Sequence, residues 1–163
     1  MQNEYSLLLI SVDSPVLLGI YKDENLIDST EMAGKFSEIL PCLFDGVFKG
    51  ELLNKDFKGD SSGISKIFYT NGPGNFSAIK MTHIFLQTIK IARNIPLFCT
   101  DAFAFSQNEF INAYGKIHFY KQNGEILTTP LSQKLPNSFA LPTTINPHIF
   151  SNKCEPLYIL PAV

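Results

Sequence analysis

A strand, a turn and a helix follow one another in the stretch Ile64-Ser65-Lys66-Ile67-Phe68-Tyr69-Thr70-Asn71-Gly72-Pro73-Gly74-Asn75-Phe76-Ser77. Its opening part, up to the threonine, is largely apolar, which is typical of a short buried strand. The Gly72-Pro73-Gly74 run predicts a turn, because glycine tolerates positive φ and proline stiffens the entry. Asn75 or Ser77 can cap the helix that follows, which is predicted to run to about Arg93.

Further strands and one more helix flank this unit. The Asn94-Ile95-Pro96 run stops the helix, and residues 95–100 are predicted to form the next strand. Residues 35–48 carry apolar side chains three and four positions apart, which predicts a helix that Pro41 kinks or delays. A polar stretch, residues 50–63, is expected to separate this helix from the central strand. Three short antiparallel strands are expected at the start, in residues 6–13, 16–21 and 26–30.

The order of these elements, βββαβαβ, is that of the ribonuclease-H-like half-domain found in actin-like ATPases and sugar kinases. We therefore expect an α/β fold with a ribonuclease-H-like domain over residues 1–101. Beyond it, Gln122-Asn123-Gly124 predicts the turn of a β-hairpin. Six of the 10 prolines lie from Pro130 onward, which argues against a long helix there. Residues 102–163 are accordingly predicted to form a reduced second domain, α/β or mostly β, with a hairpin and a proline-rich tail.

Composition excludes several classes of protein. A formal net charge of −2 and the lack of a basic run argue against strong direct nucleic-acid binding. Cys42, Cys99 and Cys154 are far apart and lie in apolar stretches, as expected for reduced core thiols of a cytosolic protein. The start lacks the basic region of a signal peptide, and the apolar run at residues 7–10 is too short to span a bilayer. The cytoplasm is the expected location.

The central stretch resembles the glycine-proline-glycine-serine-phenylalanine-threonine-glycine-leucine-arginine signature of the TsaB/YeaZ family. Residues 35–41 are similar to that family's first helix, which commonly reads His-Ser-Glu-Arg-Leu-Leu-Pro, and residues 8–14 look like its opening strand. The resemblance covers about residues 5–105, with Lys35, Ala78 and Lys80 standing where histidine, glycine and arginine are usual. Five residues make up the signature loop: Gly72, Pro73, Gly74, Asn75 and Phe76.

The resemblance implies a pseudoenzyme. TsaB-type proteins share the actin-like fold with the enzyme TsaD and pair with it. Together with the ATPase TsaE they support transfer of threonylcarbamoyl to adenosine 37 of tRNA. The first two helices of a TsaB-type protein pack against TsaD or against a second copy of the same protein. In this chain the residues expected at such a contact are Phe36, Ile39, Leu43, Lys80, His83, Ile84 and Gln87.

The residues carry little that points to catalysis. The loop Asp13-Ser14-Pro15 has no glycine, so a phosphate cradle is not expected there. Asp13 either belongs to a turn at the end of a strand or holds a metal ion through water. The Gly72 loop either is a simple turn or binds an anion at the start of the helix. His83, His118 and His148 lack metal-ligand spacing, and Cys99 with Asp101 makes no nucleophilic site. We expect no catalytic residue, metal or cofactor.

The second helix is apolar around most of its circumference, from Phe76 to Ile91. Such a helix is usually covered on two sides, one of which packs on the sheet. The other side is covered either by a partner protein or by the second domain. Two further readings remain open: a minimal actin-like ATPase or phosphotransferase using Asp13 and the Gly72 loop, and a self-associating structural homodimer.

Overall fold

The structure is a computed structural model that describes residues 4–49 and 63–159. Its larger sheet has five strands in the order β3-β2-β1-β4-β5. The strands of this sheet are β1 (Tyr5–Ile10), β2 (Val16–Lys22), β3 (Asn25–Met32), β4 (Ile64–Thr70) and β5 (Leu97–Thr100). Its helices are α1 (Phe36–Lys49), between β3 and β4, and α2 (Phe76–Arg93), between β4 and β5. The predicted order βββαβαβ is confirmed.

Strand direction changes in the middle of this sheet. β1, β2 and β3 form an antiparallel meander, whereas β4 runs parallel to β1 and β5 runs parallel to β4. The two parallel pairs need crossover connections, which α1 and α2 supply. Among the described residues no helix has the length and apolar character needed to cross a membrane. The predicted polar stretch after α1 lies, apart from Gly63, outside the described residues.

Both faces of β1 are buried, which explains why this strand is apolar without alternation. Leu7 and Leu9 point toward the helices, into a core that includes Leu86 of α2. Leu8 and Ile10 point to the opposite face, into a second core. That second core is completed by residues from after β5, namely Phe105, Phe139, Leu141, Ile145 and Phe150. The chain beyond β5 therefore returns to cover the face of the sheet that the helices leave open.

Pro41 lies inside α1 and does not delay it, since the helix already begins at Phe36. The side chain of Pro41 is on the exposed side, whereas Leu40 beside it is fully buried. The missing amide of a proline costs one hydrogen bond of the helix. The buried face of α1 offsets this cost, because each fully buried leucine contributes about 1.5 to 3 kcal/mol.

A second, three-stranded antiparallel sheet follows in the order β6-β7-β8. Its strands are β6 (Phe110–Tyr114), β7 (Ile117–Gln122) and β8 (Glu125–Pro130). The predicted turn is confirmed: Asn123 and Gly124 have φ of 52° and 80°, as a tight hairpin turn requires. An additional turn at Gly115, with φ of 52°, separates β6 from β7. The second unit is mostly β, and the boundary at residue 101 stays a prediction.

Candidate functional site

The loop that joins β4 to α2 packs tightly against the end of β1. A Cβ on Gly74 would lie 2.5 Å from the carbonyl oxygen of Val12, and the amide of Asn75 donates to that oxygen at 2.7 Å. The side chain of Asn75 accepts a hydrogen bond from the amide of Ala78 at 3.0 Å, so the predicted helix cap is confirmed. The loop thereby fastens the first turn of α2 to the centre of the sheet.

Gly72 is held in the same way by the C-terminal segment, a name we use for residues 151–159. Its φ is +130°, and an added Cβ would lie 2.6 Å from the carbonyl oxygen of Leu157. The amide of Leu157 donates to the carbonyl of Asn71 at 2.8 Å, and the Asn71 side chain donates to the carbonyl of Glu155 at 2.8 Å. At both Gly72 and Gly74 the backbone of another segment lies too close to leave room for a side chain, which explains why the loop has glycine at these positions.

Beside the loop lies a cavity of about 340 Å³ with mainly apolar walls. It is lined by Gly74, Phe76, Ile79, Ala113, Tyr114, Phe119, Leu157, Tyr158 and Ile159. The ring of Tyr158 packs on Phe76 with 4.7 Å between ring centroids. The cavity thus lies where the start of α2, the second sheet and the C-terminal segment meet.

Asp13 is engaged by protein groups on both carboxylate oxygens. One oxygen accepts from the amide of Ser14 at 2.9 Å and the other from the side chain of Asn137 at 2.7 Å. This arrangement is that of a strand-end turn, and it also ties β1 to the chain after β8. Within the described ranges no cluster of three His, Cys, Asp or Glu side chains could hold a metal ion.

Two more of the polar residues, Asp101 and His118, also have partners within the protein. Asp101 accepts from the amide of Phe103 at 2.9 Å and from the ammonium of Lys121 in β7 at 2.6 Å. His118 is fully buried: Nδ1 lies 2.8 Å from the carbonyl of Lys116, and Nε2 accepts from the amide of Leu135 at 3.0 Å. These contacts join the second sheet to the rest of the chain.

The surface formed by α1 and α2 is different, because apolar side chains there remain in contact with solvent. Lys80, Ile84, Gln87 and Ile91 recur at four, three and four positions and form one stripe along α2, which we call the α2 stripe. Ile84 is 52% exposed and Ile91 83% exposed. The sequence predicts Ile84 as a contact residue but not Ile91, although the spacing of seven between the two isoleucines is a detectable signal.

An apolar groove of about 170 Å³, here the α1/α2 groove, borders the stripe. Phe85 forms one wall, and its ring meets Phe44 of α1 edge-on with 5.2 Å between centroids. The lining residues are Phe36, Ser37, Leu40, Pro41, Met81, Ile84, Phe85 and Thr88. The groove and the α2 stripe together make a continuous surface on the outer side of the helices.

The predicted contact residues do not lie on one surface in the structure. Ile39 is 3% exposed and Leu43 is 0% exposed, so the prediction that these two contact a partner is wrong. They lie on the inner side of α1, where the apolar residues spaced three and four positions apart pack into the core. Phe36 lines the groove, and Lys80, Ile84 and Gln87 lie on the α2 stripe. Their contact role stays a prediction.

His83 lies away from the groove. It is one helical heptad from Phe76 and from Lys90, so these three share a side of α2. That side faces the C-terminal segment, which contacts Phe76 through Tyr158. The half-buried His83 has an Nδ1 that finds no hydrogen-bond partner in the part of the chain that the structure describes. The chain after β5 therefore covers part of α2, as one of the two sequence-based alternatives predicts. None of the residues that the structure describes covers the α2 stripe.

Comparison with known proteins rests on structure alone. No protein-family model and no curated protein matches the sequence. The fold is similar to that of YeaZ from Pseudomonas aeruginosa, with 13% identity and a TM-score of 0.53 over 78% of this chain and 65% of that one. A further Pseudomonas aeruginosa structure, described as an uncharacterized protein with similarity to the peptidase YeaZ, gives 14% identity and a TM-score of 0.56 over 78% and 67%. The chain thus spans about two thirds of the length of these structures.

Proposed function

We propose that this chain is a non-catalytic partner subunit of the TsaB type. It binds a TsaD-type transferase and, together with a TsaE-type ATPase, supports threonylcarbamoylation of tRNA adenosine 37 in the cytoplasm. The observation that carries the proposal is the apolar surface of the α2 stripe and the α1/α2 groove. The likeness in fold to YeaZ and the signature loop supply the family context.

Two exposed isoleucines on this surface make its burial against a partner protein favourable. Ile84 and Ile91 keep 52% and 83% of their surface in water. Complete burial of such a side chain contributes about 1.5 to 3 kcal/mol, so a partner helix that covers both gains a central apolar contact. Lys80 and Gln87 alternate with them and offer polar contacts at the edge of the interface.

The β1-β2 loop supports the non-catalytic part of the proposal. A phosphate site needs backbone amides and small residues that leave room for the ligand. Here both oxygens of Asp13 are occupied by Ser14 and Asn137, and the space above Gly74 is filled by the backbone of Val12. The loops that would surround a phosphate in an actin-like ATPase pack on protein atoms instead.

The test is to mix the purified chain with TsaD from the same source and to measure mass by size-exclusion chromatography with light scattering. We expect a one-to-one complex with the wild type and a loss of affinity of at least about tenfold, or about 1.4 kcal/mol, for Ile84→Asp. The matched control is Leu127→Asp on β8, since Leu127 is also an exposed apolar residue, with 37% of its surface accessible.

Each outcome of this experiment has a defined meaning. Equal weakening by both aspartate variants contradicts the α2 stripe as the contact surface. Failure of the folded wild type to bind TsaD at micromolar concentration contradicts the partnership. The mass of the chain alone, measured in the same run, distinguishes a self-associating homodimer, and a nucleotide titration of the isolated chain tests the ATPase or phosphotransferase alternative.

A further inference from the structure

Two cysteines meet where the C-terminal segment crosses the end of the large sheet. Cys99 lies in β5, and its amide donates to the carbonyl of Ser151 at 2.9 Å. The amide of Ser151 donates back to the carbonyl of Cys99 at 2.8 Å, which makes an antiparallel bridge. The thiol of Cys99 points into the turn that follows, with its sulfur 3.5 Å from the carbonyl oxygen of Lys153.

Cys154 folds back into the same turn. Its sulfur lies 3.6 Å from the carbonyl oxygen of Ser151, the atom that also accepts the amide of Cys99. The side chain of Cys154 is half-buried and packs on the apolar core that contains Cys99. The two thiols are therefore adjacent in space although the β6-β8 sheet separates them in sequence.

The surroundings shift the pKa values of the two thiols in opposite directions. The hydrogen bond from the Cys99 thiol lowers the pKa of Cys154, and the Tyr69 hydroxyl and the charge of Lys90 lower it further against the effect of burial. The same hydrogen bond, with burial, raises the pKa of Cys99. The Tyr69 hydroxyl is buried and has no hydrogen-bond partner among the described residues. A partly exposed thiolate beside a protonated thiol is the arrangement of a reactive cysteine with a resolving partner.

We propose that Cys99 and Cys154 form a reversible redox pair that a peroxide oxidises to a disulfide. The Cys154 thiolate attacks one oxygen of hydrogen peroxide, which gives Cys154 sulfenic acid and releases hydroxide. The Cys99 sulfur then displaces the sulfenic oxygen, so that the disulfide forms, its proton leaves with that oxygen, and water is released. A dithiol reductant reverses the step by thiol-disulfide exchange and is itself oxidised to a disulfide.

The cross-link bears on the signature loop through the C-terminal segment. Just beyond Cys154, the carbonyl of Glu155 accepts from the side chain of Asn71, and the amide of Leu157 donates to the backbone carbonyl of Asn71. Tyr158 packs on Phe76 at the start of α2. A covalent bond from Cys154 to β5 restricts the motions that separate this segment from the loop. Oxidation therefore tightens the segment over the 340 Å³ cavity, independently of whether the chain binds TsaD.

The test treats the full chain with hydrogen peroxide, blocks the remaining thiols, digests it with trypsin and analyses the peptides by mass spectrometry. We expect a disulfide between peptides 94–116 and 154–163 in the wild type and in Cys42→Ser, and loss of the cross-link on dithiothreitol. Cys42 is an exposed cysteine on α1 and serves as the matched reference. In Cys99→Ser, Cys154 should accumulate as a sulfenic acid that dimedone traps, because its resolving partner is missing.

A second measurement tests the structural effect. Hydrogen exchange at the amide of Leu157, which donates to Asn71, should slow by at least about tenfold on oxidation, and the Cys154→Ser variant should show no change. Peroxide that consumes Cys42 at the same rate as Cys154, or intermolecular disulfides in place of the 99–154 cross-link, overturns the proposal. Unchanged exchange at Leu157 in the cross-linked protein overturns its effect on the loop.

Discussion

Gly74 lies so close to Val12 that a side chain on it has no space. The position of an added Cβ is 2.5 Å from the Val12 carbonyl oxygen and 2.7 Å from the Val12 Cβ. This contact between the start of α2 and the end of β1 places the exposed α2 stripe relative to the sheet. The signature loop thus supports the candidate interface without belonging to it.

Gly74→Ala should lower the free energy of unfolding by about 2 to 3 kcal/mol, because the methyl group forces apart two backbone segments. Urea unfolding followed by circular dichroism measures this change. The control is Gly115→Ala, which has φ of +52° but no atom within 4 Å of the added Cβ, and should cost only about 1 kcal/mol. A Gly74→Ala variant as stable as the control contradicts the close packing.

Leu43→Ala and Ile84→Ala separate the core from the candidate interface. Leu43 is completely buried, so its truncation should cost about 2 to 4 kcal/mol of stability. Ile84 is 52% exposed and lies on the α2 stripe, so its truncation should change stability by less than about 1 kcal/mol and weaken only the complex with TsaD. Thermal unfolding and the light-scattering assay give the two readouts, and a strongly destabilised Ile84→Ala contradicts the exposed placement.

Asp101→Ala should destabilise the protein by about 1 to 2 kcal/mol. The carboxylate caps a short helix through the amide of Phe103 and forms an ion pair with Lys121, and it is only 21% exposed in its side chain. Asp45→Ala is the matched control, because Asp45 pairs with Lys49 at 2.9 Å but both side chains are 60% exposed. Such a surface pair contributes less than about 0.5 kcal/mol. Similar losses of stability for the two variants would contradict a larger contribution from the Asp101 contacts.

Alkylation of Cys154 should reach its half-maximal rate near pH 7, because the thiolate is the nucleophile and its surroundings lower the pKa of Cys154 to about 7. Iodoacetamide labelling of the Cys42→Ser variant over pH 5 to 10, with the peptide that contains Cys154 followed by mass spectrometry, measures the midpoint. A midpoint near that of an ordinary thiol, about 8.5, contradicts the assignment of Cys154 as the attacking group.

The same pKa shift predicts a pH dependence of stability. Between about pH 7 and the pKa of an unfolded thiol, the folded chain has released the Cys154 proton while the unfolded chain retains it, so stability should rise with pH. At higher pH the unfolded chain also releases the Cys99 proton, which the folded chain retains because its pKa is raised, and stability should fall again. The rise should be missing in Cys154→Ser when urea unfolding is repeated across this range.

Local signals in the sequence were sufficient for the order of the elements. The apolar run of β4, the Asn75 cap and the Asn123-Gly124 turn each act within a few residues, and the structure confirms all three. The same signals could not tell which apolar residues of a helix meet the sheet. Periodicity marked Ile39 and Ile84 alike, but one is core and the other is exposed.

What the sequence by itself determined is the succession βββαβαβ and the glycine turn before α2, since both follow from short-range propensity and period. Only the tertiary structure decided that the chain after β5 returns to cover the open face of β1, and that Cys99 and Cys154 share one turn. Contacts between distant segments depend on which surfaces remain apolar after the sheet and helices have packed. A local sequence pattern cannot predict which surfaces remain apolar, because the burial of each residue is a property of the whole fold.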